Sequence, residues 1–169
     1  MRRSDREQSL EFSLELIDRC KHGTVAFATE DGAPYCIPLS LVRAGDKLYF
    51  HCAKQGHKTD LLHRDGRVCV TFVGADDPAF VAPAMYTTYF QSVVVMGRAA
   101  EVTDTKEKAD ALRALCRKLT PHDLGESLER AIEKSMSATA VWCISMDQIT
   151  GKAKPVSYTH LTLPTICSV

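Results

Sequence analysis

The sequence predicts an α+β protein: a small, curved, mostly antiparallel sheet or barrel of about six strands, with helices at its edges. Three observations lead there. Short apolar runs rich in β-branched and aromatic residues recur along the chain, most of them joined by tight turns such as Asp31-Gly32. The stretches with helical spacing are few, and they do not alternate regularly with strands as a doubly wound sheet requires. The length of 169 residues and a hydrophobic share of 45% fit a single domain that buries a core.

Taken in order, the first element reads as a helix with Leu10, Leu14 and Ile17 on one face, Ser4 and Glu7 in capping-box spacing, and Gly23 as its stop. Three strands follow: "TVAFAT", then "PYCIPLSLVR" after the Asp-Gly turn, then "KLYFHCA" after "AGD". "HKTDLLHRD" reads as a helix of about two turns crossing over to the alternating strand "RVCVTFV". "GADDPAFVAPAMYTT" reads as a loop, and "YFQSVVVMGRAAEV" as a long strand with a bulge or bend at Gly97. Glu107 to Leu119 is an amphipathic helix with Leu112, Leu115 and Leu119 inward, stopped by Thr120 and Pro121. "GESLERAIEKSM" is a further helix, and "ATAVWCISMDQITGK" is the last strand.

Lys plus Arg and Asp plus Glu both number 21, so no overall positive field draws the chain to nucleic acid or to a membrane surface. No apolar run approaches bilayer length and no leader-like h-region opens the chain, so a cytoplasmic protein is expected. The seven cysteines are spread evenly and read as reduced, mostly buried thiols. Residues 1–154 form the expected domain. The tail, residues 155–169, carries no Asp, Glu, Lys or Arg and resembles read-through or a fusion scar.

The densest chemistry lies in "LYFHCAKQGHKTDLL", Leu48 to Leu62. His51, Cys52, His57 and His63 offer metal-ligand atoms. Against a metal, there is no paired-cysteine or His-Glu-x-x-His spacing, and neighbours on a strand face opposite ways, which makes Cys52 a core thiol. Lys58 after Gly56, in the first turn of a helix, joins a cation to free backbone N–H groups, and this favours an anion. The loop is neither a P-loop nor a dinucleotide turn. His51 either satisfies a nearby carbonyl or faces a ligand held at that turn, and spacing does not decide between them. No G-x-S-x-G elbow exposes a serine. Tyr86, Tyr89 and Phe90 read equally as core and edge aromatics or as the wall of a pocket for a flat ring; Trp142 reads as core or interface.

The order "PYCIPLSLV", "LYFHCAKQGHKTDLLHRDGRVCVTFV", "YFQSVVVMGRAAEV" resembles the FMN-binding split-barrel flavoproteins related to pyridoxamine 5′-phosphate oxidase, and among them the Nim-type group linked to nitroimidazole resistance. The most specific part of the likeness is His51, Ala53, Gly56 and Lys58 in a His-x-Ala-x-x-Gly-x-Lys pattern. The resemblance implies a split barrel that binds FMN between the subunits of a homodimer. Lys58 would take the FMN phosphate, Pro38, Leu39 and Ser40 would line the ring edge, and backbone groups of Phe50, His51, Cys52 and Ala53 would follow the ring or ribityl chain. Ser92, Val93 and Val94 would close the pocket. His51 would be the catalytic residue in an oxidoreductase that reduces a small planar acceptor such as a 5-nitroimidazole, with NAD(P)H as a candidate donor. The chain departs from the pattern at His57, where relatives often carry arginine, and at "HRDG", which replaces an Asn-Pro turn. The C-terminal region offers lysines where the pyridoxal-forming oxidases carry arginines, which argues against that specific activity. Two alternatives stay open: a haem-binding split-barrel protein with His51 as axial ligand, and a flavin-binding module without turnover.

Overall fold

The computed structural model describes residues 2–81, 85–122 and 125–155. Helix α1 (Leu10–Arg19) starts later than the capping-box spacing predicts, because Ser9 is its cap and accepts from the Phe12 amide at 3.1 Å. Ser4–Arg6 form a single 3-10 turn, and Glu7–Gln8 form the short strand β1. The buried face of α1 is Ser13, Leu16 and Ile17, whereas Leu10 is 60% exposed. Gly23 is no helix stop: it lies inside β2 (His22–Ala28), where a Cβ would come within 2.9 Å of the Phe72 ring.

The remaining strands are β3 (Pro34–Ser40), β4 (Val42–Ala44), β5 (Lys47–Ala53), β6 (Arg67–Val81), β7 (Met85–Glu101), β8 (Thr139–Ser145) and β9 (Gln148–Lys154). Helices α2 (His57–Arg64), α3 (Thr105–Leu119) and α4 (Glu126–Ser135) complete the order. The strands run β3-β2-β6-β7-β8-β5-β4, with β9 beside β7 and β1 beside β9, and all pairings are antiparallel. The architecture is a split barrel: β3 and β4 are the two ends of this path, joined through Leu41 but not hydrogen-bonded to each other.

Nine strands replace the expected six because two sequence runs each break in two and the two-residue β1 adds a ninth. "PYCIPLSLVR" divides at Leu41, which is fully buried, and its halves join different strands, β2 and β5. "ATAVWCISMDQITGK" divides at Met146–Asp147, with β8 on β5 and on the end of β7 and β9 along the middle of β7. At each bend the alternation slips by only one residue, at Leu41-Val42 and at Asp147-Gln148, and no Gly or Pro marks a turn there, so the pattern conceals them. The expected loop from Gly74 is largely strand: β6 runs on to Val81 and pairs with β7 as far as Met85. Pro78 is tolerated there, and the bulge falls between Val73 and Ala75. At Gly97 the cause is close approach, since a Cβ would fall on the Ser145 carbonyl oxygen where β7 turns from β9 to β8.

The barrel interior holds Val25, Phe27, Leu48, Phe50, Val70, Phe72, Val93, Val95 and Ile144, with Leu16 and Ile17 from α1 and Leu61 and Leu62 from α2. A second cluster lies outside β5 and β8, where Ala111, Leu112 and Leu115 of α3 and Ile132 of α4 cover Tyr49 and Val141. Each buried side chain of this size contributes about 1.5–3 kcal/mol of hydrophobic stabilisation. Lys118, near the end of α3, donates to the carbonyls of Ile17 (3.0 Å) and Leu41 (2.9 Å) and so ties α3 to α1 and to the break between β3 and β4. Among the described residues no helix is long and apolar enough to cross a membrane. The cysteines described here, Cys20, Cys36, Cys52, Cys69, Cys116 and Cys143, are free thiols. The tail from residue 156 lies outside the described residues.

Candidate functional site

Strand β5 sorts its side chains by alternation. Leu48 and Phe50 enter the barrel, Tyr49 goes under α3, His51 is exposed, and Cys52 packs against the barrel core. The chain then turns at Gly56, whose φ of 143° and open surroundings suit glycine alone. The first helical bond of α2 runs from the Asp60 amide to Gly56 O (3.0 Å), leaving the amides of His57, Lys58 and Thr59 without an intrahelical acceptor. Thr59 Oγ1 caps back onto Gly56 O at 2.6 Å and pins the turn.

Lys58 is half-buried, and its Nζ lies 5.5 Å from the centre of the Phe50 ring. Among the described residues no carboxylate forms an ion pair with it. Gly56, the free amides and this uncompensated cation form an anion cradle. The His57 ring meets Tyr35 edge-on at 4.9 Å, docking the start of α2 on the start of β3. Burial pushes the Cys52 thiol above its usual range, opposed by Lys58. Trp142 Nε1 is buried beside Cys52 without a normal hydrogen bond. His63 stacks edge-on against Trp142 at 5.0 Å, with Nε2 3.8 Å from Glu101. The four possible metal ligands of this stretch therefore diverge, and among the described residues no group of three or more His, Cys, Asp or Glu could hold a metal.

The second group of sequence-predicted residues lies on the outer face of the sheet. Pairing register places Pro38, Thr24, Thr71, Val94 and Thr150 in one row across β3, β2, β6, β7 and β9. The next row is Cys36, Ala26, Cys69, Met96 and Gln148. On the other side, Ser40 pairs with His22, and Ser92 lies between Val73 and Lys152. Because alternate residues share a face, Pro38, Ser40, Ser92 and Val94 face outward together. Leu39 packs inward and Val93 is fully buried in the core, so neither offers its side chain to this face. The two rows carry no charge, and Met96 stays 46% exposed; on the flank Val73 is 60% exposed.

The structure brings β3, which carries Pro38–Ser40, close to β5, which carries Phe50–Ala53. It does not pair Ser92–Val94 with β5; they bond to β6 and β9, five residues and about 17 Å of strand before β7 reaches β8 at Ala99. The sequence reading missed Thr24, Thr71 and Met96 on the shared face, although the period-two alternation of β2 and β6 marks them. Tyr86 is 85% exposed and stacks on Phe80 at 5.0 Å, while Tyr89 and Phe90 are half-buried.

Residues 10–153 match the family model described as pyridoxamine 5′-phosphate oxidase. Among solved structures, a Bacteroides thetaiotaomicron protein named as a candidate 5-nitroimidazole antibiotic resistance protein superposes with a TM-score of 0.73 at 26% identity, over 86% of this chain and 84% of that one. The flavocytochrome Anf3 from Azotobacter vinelandii gives 0.75 at 24% identity, over 91% and 72%. A FAD and heme binding protein from Mycobacterium smegmatis gives 0.73 at 21% identity, over 88% and 73%. No curated protein matches the chain.

Proposed function

This chain belongs to the pyridoxamine 5′-phosphate oxidase family, and from that premise we propose that it is a flavin-dependent oxidoreductase that reduces a small planar acceptor, of which a nitroaromatic such as a 5-nitroimidazole is the leading class. The observation that carries the reading is the anion cradle at the head of α2: Gly56 in a conformation reserved for glycine, free amides, and Lys58 without a carboxylate partner. It fits the phosphate of FMN, the flavin we assign. Lys58 and the amides of His57 and Lys58 would hold that phosphate, with the backbone of Phe50–Ala53 and the Pro38–Ser40 edge beside the ring system.

When bound, the flavin supplies the electron transfer. The protein's part is to orient, exclude water and move protons. Reduction of a nitro group to a nitroso group takes two electrons and two protons and releases water, so a proton source beside the acceptor speeds it. His51 suits that role, because its exposed imidazole makes no hydrogen bond or ion pair among the described residues and lies near the end of the strand that leads into the pinned turn.

The two uncharged rows on the outer face of β2, β3, β6 and β7 support a homodimer, with Ser92 and Val94 of one subunit closing the site of the other. NAD(P)H is the donor we assign. The free His51 imidazole equally supports a second reading, axial ligation of haem. A visible absorbance spectrum of the purified, desalted protein separates the two. Flavin bands support the first reading; a Soret band supports haem and removes His51 from the proton-transfer role; a colourless protein that takes up neither group overturns both.

A further inference from the structure

The chain as a whole is neutral, yet its cations gather at one place outside the cradle. Where the Ser4–Arg6 turn and β9 meet the outer half of β7, a cleft of about 500 Å³ is lined by Arg3, Arg6, Tyr89 and Lys154. Lys154 Nζ lies 5.6 Å from the Tyr89 ring centre and donates to Thr87 Oγ1. Arg6 Cζ and Lys152 Nζ lie 5.8 and 6.0 Å from the centre of Phe90. An aromatic face steadies a cation without cancelling its charge.

The nearby acids leave these charges largely uncompensated. Asp5, which also lines the cleft, spends both oxygens on Arg3 at 2.8 and 2.7 Å, and Arg6 Nε reaches it only at 4.0 Å. Glu7, Asp76 and Asp77 stand opposite Lys152, Phe90 and Tyr89 in the strand register, but among the described residues none forms an ion pair with Lys152 or Lys154.

We propose that this cleft is an anion site for a diphosphate, the one carried by a dinucleotide. The volume is within the range of ligand pockets and generous for a single phosphate. A guanidinium fork from the Ser4–Arg6 turn and an ammonium from the end of β9, both lining one cleft, match two linked phosphates. The choice of a dinucleotide rests on the oxidoreductase reading, whereas the anion site does not. Two sources share this chemistry: a nicotinamide dinucleotide donor, and the adenylate half of FAD if the flavin is the longer one.

The test is calorimetric titration of the full-length protein, with whatever flavin it retains, by pyrophosphate, ADP and adenosine. With the cradle filled by excess FMN, we expect saturable binding of pyrophosphate and ADP, none of adenosine, and affinity at least about tenfold weaker in Arg6→Gln/Lys154→Gln but kept in Lys106→Gln, a surface lysine of α3. No saturable binding, equal affinity in the double variant, or an equal loss in Lys106→Gln overturns the site. If the double variant melts early, Lys154→Gln alone carries the same comparison. The source is then read on the same variant: lost FAD with retained FMN marks the cofactor, and a raised KM for NAD(P)H with flavin unchanged marks the donor. ADP binding with neither effect refutes the dinucleotide assignment. Flavin absorbance of each sample separates failure of this site from failure of the flavoprotein reading, because pyrophosphate binding needs no flavin.

Discussion

Replacing Lys118 with methionine keeps most of the aliphatic stem and removes the ammonium that bonds Ile17 O and Leu41 O. A hydrogen bond from a charged donor contributes about 1.5–3 kcal/mol, so two would suggest a loss above 3 kcal/mol. Part of that is offset in advance. Burial pushes the Lys118 ammonium below its usual lysine range, with Asp18 pulling the other way, which means that keeping the charge inside already costs the fold. The net loss expected is therefore about 2 kcal/mol, and at about 2–4 °C per kcal/mol for a domain of this size Tm falls by about 4–8 °C. Circular dichroism melts and urea titrations of both proteins measure it. A Tm within about 1 °C of wild type would refute the reasoning, and a changed urea slope would show that the effect lies in the denatured state instead. Because Lys118 fixes the break after Ser40, the variant should also hold flavin less tightly.

Lys58→Ala should weaken flavin binding by about tenfold or more, the worth of one charge-assisted hydrogen bond, and fluorescence titration with FMN checks it; unchanged affinity removes Lys58 from the phosphate site. His51→Ala should lower turnover with a nitroaromatic about 10²-fold or more while flavin stays bound, as steady-state kinetics on the desalted protein will show. Gly97→Ala should destabilise the fold by more than about 1 kcal/mol, because the new methyl group meets backbone at Ser145 and not a side chain that can move; a denaturant midpoint equal to wild type would count against that close approach. Tyr49 Oη (2.8 Å) and then Lys47 Nζ (3.1 Å) hold the Glu107 carboxyl below its usual range, so its contribution is present above the unfolded carboxyl pKa and lost as pH falls through the lower folded value. Glu107→Gln should flatten the acid limb of a Tm-against-pH curve, modestly, since the pair is partly exposed to solvent.

Much of the fold was legible because period-two patterns mark strands wherever one face is buried, as in Val25 and Phe27 or Val93 and Val95. Leu41 and Met146 show the limit. A strand that leaves one sheet for another shifts its alternation by a single residue, too little to mark a break until the partner strands show it. Ser9 is a better cap than Ser4 because the chain before it is held in β1 by β9, a contact 145 positions away in register at Glu7 and Lys152 that no local spacing reports. At the site, the turn chemistry of Gly56 and Lys58 was readable from residue type. Leu39 and Val93 were not separable from Pro38 and Val94 until the register showed which way each side chain faces.

The break at Leu41 also determines how the molecule can yield. The two halves of the barrel share a single hydrogen-bonded strand, β7, and are otherwise joined by the chain at Leu41, through α2 and at Met146–Asp147, and by the packed interior. A disturbance on the β2-β3 side, such as a bulky acceptor wedged against Pro38, can therefore open the slit like a hinge without unzipping any ladder. Adaptation to acceptors of different size then needs changes only along the β3 lip, leaving the proposed cradle at the head of α2 untouched.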